Sequence, residues 1–142
     1  MSVDLADPAQ RQAALQRILP EQAKEHHAFL RQLFEAEVEY RRKDDDWDYY
    51  ENLYWCAYLL FHVGDPSDTP AMWRAKHLNM DTGTGFDIEA MVGGGVEATV
   101  AQLQQQGLHA AAQAIRAHFA GEAVEEIRSW SDQQRRYYYG EA

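Results

Sequence analysis

Residues 44–64 read DDDWDYYENLYWCAYLLFHVG, and the period of this stretch decides the fold. Trp47, Tyr50, Tyr54, Tyr58 and Phe61 step by three or four, and Leu53, Ala57 and Leu60 fill an adjacent line. That spacing is helical, with apolar side chains over more than half the circumference. A helix apolar on most sides cannot lie on a surface, so Asp44–Val63 is expected to be the central helix of the domain. Asp44-Asp45-Asp46 supplies negative charge at its N-terminus, where the macrodipole is positive. Gly64 supplies the left-handed residue that ends it, and Asp65-Pro66-Ser67-Asp68 reads as a turn.

The same period extends in both directions. Asp7-Pro8 is a cap followed by proline at the first helical position, and Leu15, Ile18 and Leu19 mark an apolar face. Pro20 restarts the pattern. Between Glu21 and Arg42, Leu30, Leu33, Phe34 and Val38 face one way and Glu25, Arg31, Glu35 and Glu39 the other. Downstream, Thr69-Pro70 opens a helix expected to reach Leu78 or Asn79. Asp81–Gly85, with two glycines and an Asp in five residues, reads as a loop. Phe86–Val92 follows as a short helix and Gly93-Gly94-Gly95 as a hinge or tight turn. Gly83, Gly85 or one of Gly93–Gly95 is expected at positive φ, with Asp81 or Asp87 capping a helix. Three further apolar faces close the chain. Val96, Val100 and Leu103 end at Gly107; Leu108, Ala111, Ala112, Ile115 and Phe119 end at Gly121; Val124, Ile127 and Trp130 come last. Residues Tyr137–Ala142 read as a tail. No alternating strand pattern appears. The expected fold is all-α: one domain over residues 1–142, about seven or eight helices, arranged as HEAT-like stacked helical hairpins or as an irregular bundle.

Composition narrows the class. The chain has 142 residues, 46% of them hydrophobic, with 8 Tyr, 5 Phe and 4 Trp, which is ample for a core. Acids outnumber bases 23 to 13, for a net charge of −10. Nucleic acid needs clustered Lys and Arg, and an anionic membrane surface does too, so neither is expected as a partner. A protein with a basic face fits, because opposite potentials steer encounter. Cys56 is the only cysteine, so no intrachain disulfide forms, and in its aromatic run it reads as a small buried group. The opening MSVDLADPAQRQ has no basic segment leading into an apolar one, and no run approaches the roughly 20 apolar residues of a membrane helix. The expected compartment is the cytoplasm.

A di-iron bundle needs Glu-x-x-His on two helices, but the residues three before the six histidines are Ala23, Lys24, Leu59, Arg74, Gln106 and Ile115. Spacing leaves open a metal site drawing His26, His27 or His62 from separate helices, but packed or surface histidines are commoner. Neither metal nor cofactor is expected. Asp81-x-Gly83-x-Gly85-x-Asp87 fails as a calcium loop, because glycines occupy positions 3 and 5 and Val92 occupies position 12. The same loop, with Arg74, Lys76 and His77 just upstream, offers a pocket for a small ligand or anion lined by Arg74, Lys76, His77, Asp81 and Asp87, although its two acids oppose an anion. No serine sits in a nucleophile elbow. An enzyme is therefore not expected.

The segments Tyr54-Trp55-Cys56-Ala57, Gly64-Asp65-Pro66, and Met72-Trp73-x-Ala75-Lys76 through Asp81-x-Gly83-x-Gly85-Phe86-Asp87, spanning about residues 45–105, resemble small acidic bacterial proteins similar to the immunity proteins of toxin systems. The resemblance implies a non-enzymatic protein that binds and neutralises a cognate toxin domain, and it brings no catalytic residue. Candidate partner contacts are Asp44, Asp45, Asp46, Asp48, Asp65 and Asp68. The alternatives are a small helical enzyme or ligand binder using the Arg74–Asp87 pocket, and an oligomeric module using the C-terminal tyrosines.

Overall fold

The computed structural model describes residues 3–43, 48–120 and 123–140. Among them are eight α-helices, three 3₁₀ segments and no strand. The helices are α1 (Pro8–Arg17), α2 (His27–Lys43), α3 (Asn52–Val63), α4 (Thr69–Lys76), α5 (Met80–Gly85), α6 (Val96–Gln105), α7 (His109–His118) and α8 (Ala123–Tyr139). The 3₁₀ segments are Pro20–His26, Pro66–Asp68 and Ile88–Val92. Asp44, Asp45, Asp46, Trp47, Gly121, Glu141 and Ala142 lie outside the described residues.

The central helix is where the apolar period put it, but it is shorter. It begins at Asn52 rather than Asp44. Tyr49 has φ +62, which breaks any helix running through it. The turn before α3 is held from α2: Tyr40 Oη donates to the Asp48 carbonyl (3.0 Å) and Arg41 to that of Tyr50 (2.9 Å). At the other end Gly64 takes φ +75 and its N–H returns to Leu60 O at 3.1 Å. Leu53, Cys56, Ala57, Leu59 and Leu60 are buried along its length. Each buried leucine contributes about 1.5–3 kcal/mol.

α1, α2, α8 and the segments Pro20–His26 and Ile88–Val92 all pack against α3, and α6 pairs with α7 to one side. In a stack of hairpins each unit touches only its neighbours. Here one helix meets partners from both ends of the chain, so the architecture is the irregular bundle. A buried ion pair ties α1 to α2: Arg11 Nε donates to Glu37 at 2.5 Å and Arg11 Nη1 to Leu5 O at 2.6 Å. Burial pushes the Glu37 carboxyl above its ordinary range, opposed by Arg11.

Residues 80–85 are not a loop. Asn79 and Thr82 form a reciprocal cap, with Asn79 Oδ1 accepting from Thr82 N (2.9 Å) and Thr82 Oγ1 from Asn79 N (3.1 Å). That starts α5 despite its glycines. Gly83 and Gly85 are ordinary helical residues; among the triple glycine it is Gly95 that has φ +102. α4 stops at Lys76, two or three residues short of Leu78 or Asn79, and Lys76 Nζ turns to the carbonyls of Gly83 (2.7 Å) and Phe86 (2.6 Å). Gly93 is required by a close approach: a Cβ there would lie 1.9 Å from the Phe61 carbonyl oxygen.

The tail is not a tail. Tyr137–Tyr139 finish α8. Tyr138 stacks on Trp55 at 5.0 Å, and Tyr139 Oη donates to Ile18 O (2.6 Å) while accepting from Trp55 Nε1 (3.0 Å). Tyr137 stays exposed and donates to Glu51. Of the expected α8 face, Trp130 is buried and Ile127 half-buried, but Val124 is exposed.

Gly93→Ala should destabilise the protein by about 3 kcal/mol or more, since the clash is with backbone. Gly83→Ala, in open helical surroundings with no atom nearer than 3.6 Å, should stabilise it by roughly 0.5–1 kcal/mol; urea denaturation of the pair checks both. Burial holds the Tyr139 hydroxyl up at about 12, against an ordinary value of 10.0. The folded state keeps that proton more tightly than the unfolded chain, so the contribution to stability is full below about pH 10 and is lost as pH rises through about 12. Tyr139→Phe, which strands the Trp55 N–H, should cost about 1–3 kcal/mol at neutral pH and flatten the alkaline decline, measured by denaturation at stepped pH.

Candidate partner-binding groove

Six residues of α2, Arg31, Phe34, Glu35, Val38, Glu39 and Arg42, recur at three and four along one side of the helix. They face Ala71, Arg74 and Ala75 of α4, with Leu78 just beyond. Between the two helices run two adjoining cavities of about 350 and 380 Å³ that share Phe34, Glu35 and Ala71. Together they form one groove. Ala71 and Ala75 create it, because small side chains leave room above the helix backbone. Phe34, Leu60 and Ala75 form a buried floor, and Val38, Ala71 and Leu78 are half-buried along it. From Arg31 to Arg42 the groove spans about 16 Å at the helical rise of about 1.5 Å per residue, or three turns.

Both walls are pinned. At the upper end Asp68, only 6% exposed, accepts from Arg31 Nε (2.7 Å) and lies 2.7 Å from His27 Nε2. Arg31 also reaches Ser67 Oγ at 2.8 Å. Asp65 accepts from Ser67 N (2.9 Å); that bond, more than the Arg31 charge, holds its carboxyl below the usual range. Thr69 Oγ1 donates to Met91 O (2.9 Å), fixing the start of α4 to the Ile88–Val92 segment. The Lys76 contacts fix its end. The groove therefore exists without a partner. Its rim carries both signs. Glu39 pairs weakly with Arg42 and Lys43 at 3.7 and 3.9 Å on the surface. Glu35 and Arg74 make no hydrogen bond or ion pair among the described residues.

The sequence candidates are therefore scattered. Asp65 and Asp68 are engaged by Arg31, His27 and Ser67 and act in the wall of the groove, while Asp48 is exposed beside α2. Asp44, Asp45 and Asp46 are outside the described residues. The five groups proposed to share a pocket do not converge in the groove. Arg74 lines it, but Lys76 caps α5 and His77 packs its ring on half-buried Trp73 at 4.3 Å, with Nδ1 2.9 Å from the Trp73 carbonyl. Asp81 is exposed, and Asp87 accepts from Trp130 Nε1 at 2.9 Å instead of capping a helix. The tyrosines proposed for an oligomer surface are mostly spent on Trp55.

Sequence reasoning missed one pairing of catalytic residue types. Ser131 Oγ lies 3.4 Å from His62 Nε2, and burial lowers the His62 pKa. Among the described residues no carboxylate orients the pair: Glu21, whose charge acts on His62, is clamped by Arg135 at 2.8 and 3.3 Å. Cys56 is inert, since burial drives its thiol pKa well up and its Sγ donates to Leu30 O.

Among the described residues no helix is long and apolar enough to cross a membrane. No protein-family model, curated protein or solved structure matches the chain. What the fold and the groove define is an all-helical domain with a cleft between α2 and α4.

The groove geometry makes a direct prediction. Ala71→Trp fills the cleft from a half-buried position, so the variant should keep its stability within about 1 kcal/mol, because surface changes away from special features cost little. The check is thermal unfolding, with a large loss meaning that Ala71 is core.

Proposed function

We propose that this protein is a non-enzymatic binding module whose α2–α4 groove receives an amphipathic helix from a partner protein. The observation that carries this reading is a cleft of about three helical turns with an apolar floor and fixed walls, which suits the recognition of an amphipathic helix through anchors at i, i+3, i+4 and i+7. Glu35 and Arg74 supply uncommitted charges of both signs on the rim, which set the register of the bound helix. The overall charge of −10 makes the partner basic, and the acidic run Asp44–Asp46 that follows α2 in sequence adds to that attraction. The resemblance to immunity proteins makes the partner a toxin domain, which the bound protein neutralises by occlusion.

The test is titration of the purified protein with the product of its neighbouring reading frame. The expected result is a one-to-one complex whose association slows as salt rises. Ala71→Trp should weaken it at least tenfold, about 1.4 kcal/mol, and changing Asp44, Asp45 and Asp46 to Asn should slow association. Equal affinity for Ala71→Trp and wild type would remove the groove from the account.

A second reading, binding of a small ligand, is favoured by a different cavity. About 470 Å³ lies between the N-terminal segment, α1 and α2, walled by Val3, Leu5, Ala14, Ile18 and Phe29, with Arg17, His26 and Gln32 at its polar side. Thermal stabilisation by small apolar carboxylates, lost in Phe29→Glu, would favour it.

A further inference from the structure

Three metal-ligating side chains converge outside the lining of the groove. Glu89 belongs to the Ile88–Val92 segment, His118 is the last residue of α7, and Glu126 lies in the first turn of α8. One ligand atom from each lies within 4.8 Å of the other two. His118 Nε2 and Glu126 Oε1 are 3.3 Å apart. Two ligands around a tetrahedral centre at about 2.0–2.1 Å sit about 3.4 Å from each other, so this pair already has ligand spacing. Rotation of the Glu89 side chain supplies the remaining approach.

We propose that Glu89, His118 and Glu126 form a binding site for a divalent metal ion of the zinc class. One imidazole and two carboxylates favour zinc, cobalt or nickel over calcium or magnesium, which take all-oxygen shells. The scaffold that aligns the donors is in place. Trp130, one turn after Glu126 on the same side of α8, donates to Asp87, two residues before Glu89. That bond docks α8 so that Glu126 meets Glu89. Ala90, Met91 and Val92 anchor the Glu89 segment in the core, and buried Phe119 fixes the end of α7, its ring 4.7 Å from that of His118.

Charge points the same way. Glu89 is half-buried and makes no salt bridge among the described residues. The negative charges of Asp87 and Glu126 act on its carboxylate. Three carboxylates thus share one small region with a single imidazole, and a dication relieves that repulsion. With three protein donors at the surface, at least one coordination position remains for water. The ion would cross-link α7, α8 and the Ile88–Val92 segment. The site does not depend on the groove.

Calorimetric titration of the metal-stripped full chain with Zn2+ tests this, with Co2+ absorption reporting the geometry. The expected result is one ion per chain, a rise in melting temperature, and binding at least tenfold weaker in both His118→Ala and Glu126→Gln. His109→Ala, at another exposed histidine, should bind as wild type does. Circular dichroism checks that the variants fold. Binding unchanged by His118→Ala, binding lost equally in His109→Ala, or no melting shift at saturating Zn2+ would each overturn the proposal.

Discussion

Nine of the twelve residues of α3 are buried, so the chain must cover this helix on nearly every side. α1 and α2 do so from the N-terminal half, the Ile88–Val92 segment from the middle and α8 from the C-terminus. The backbone of Gly93 lies against the carbonyl of Phe61, closer than any side chain would permit. The stack of Tyr138 on Trp55 and the Tyr139 hydroxyl between Trp55 and Ile18 close the remaining face. The groove is a by-product of the same constraint. α2 and α4 are held apart by what lies beneath them, and alanines at 71 and 75 leave the gap unfilled.

The apolar period made α3 legible, because side-chain spacing reports directly on which faces are buried. Caps were equally legible: Asp7 accepts from Ala9 N, and Gly64 takes the left-handed position. What failed was local propensity overruled by tertiary contacts. Glycines at 83 and 85 argue for a loop, yet the Asn79–Thr82 cap and the Lys76 ammonium stabilise a helix there. The start of α3 was placed too early because Trp47, Tyr50 and Tyr54 keep the helical step, whereas Tyr49 adopts a left-handed backbone that no pattern announces.

The candidate sites show the same division. Val38 was expected on the apolar face of α2 and Arg31 and Glu35 on the opposite one, yet all three line the groove, because a groove needs two helices and their relative placement is a long-range fact. Asp68, expected as a partner contact, is buried against Arg31 and His27. Glu89, His118 and Glu126 come from three elements, so no spacing rule within one helix finds them. Two features stand out on this bundle: α2 and α4 flank a cleft with an apolar floor, and Glu89, His118 and Glu126 converge at the α7–α8 end.

Native-state hydrogen exchange of the isolated protein tests whether a buried α3 supports a groove already formed before any partner arrives. Amides of α3 should exchange only through global unfolding, with those of α2 and α4 lining the groove close behind and the α6–α7 pair faster. If α4 exchanges as quickly as the chain termini while α3 remains protected, the groove is not preformed and the account of its function fails.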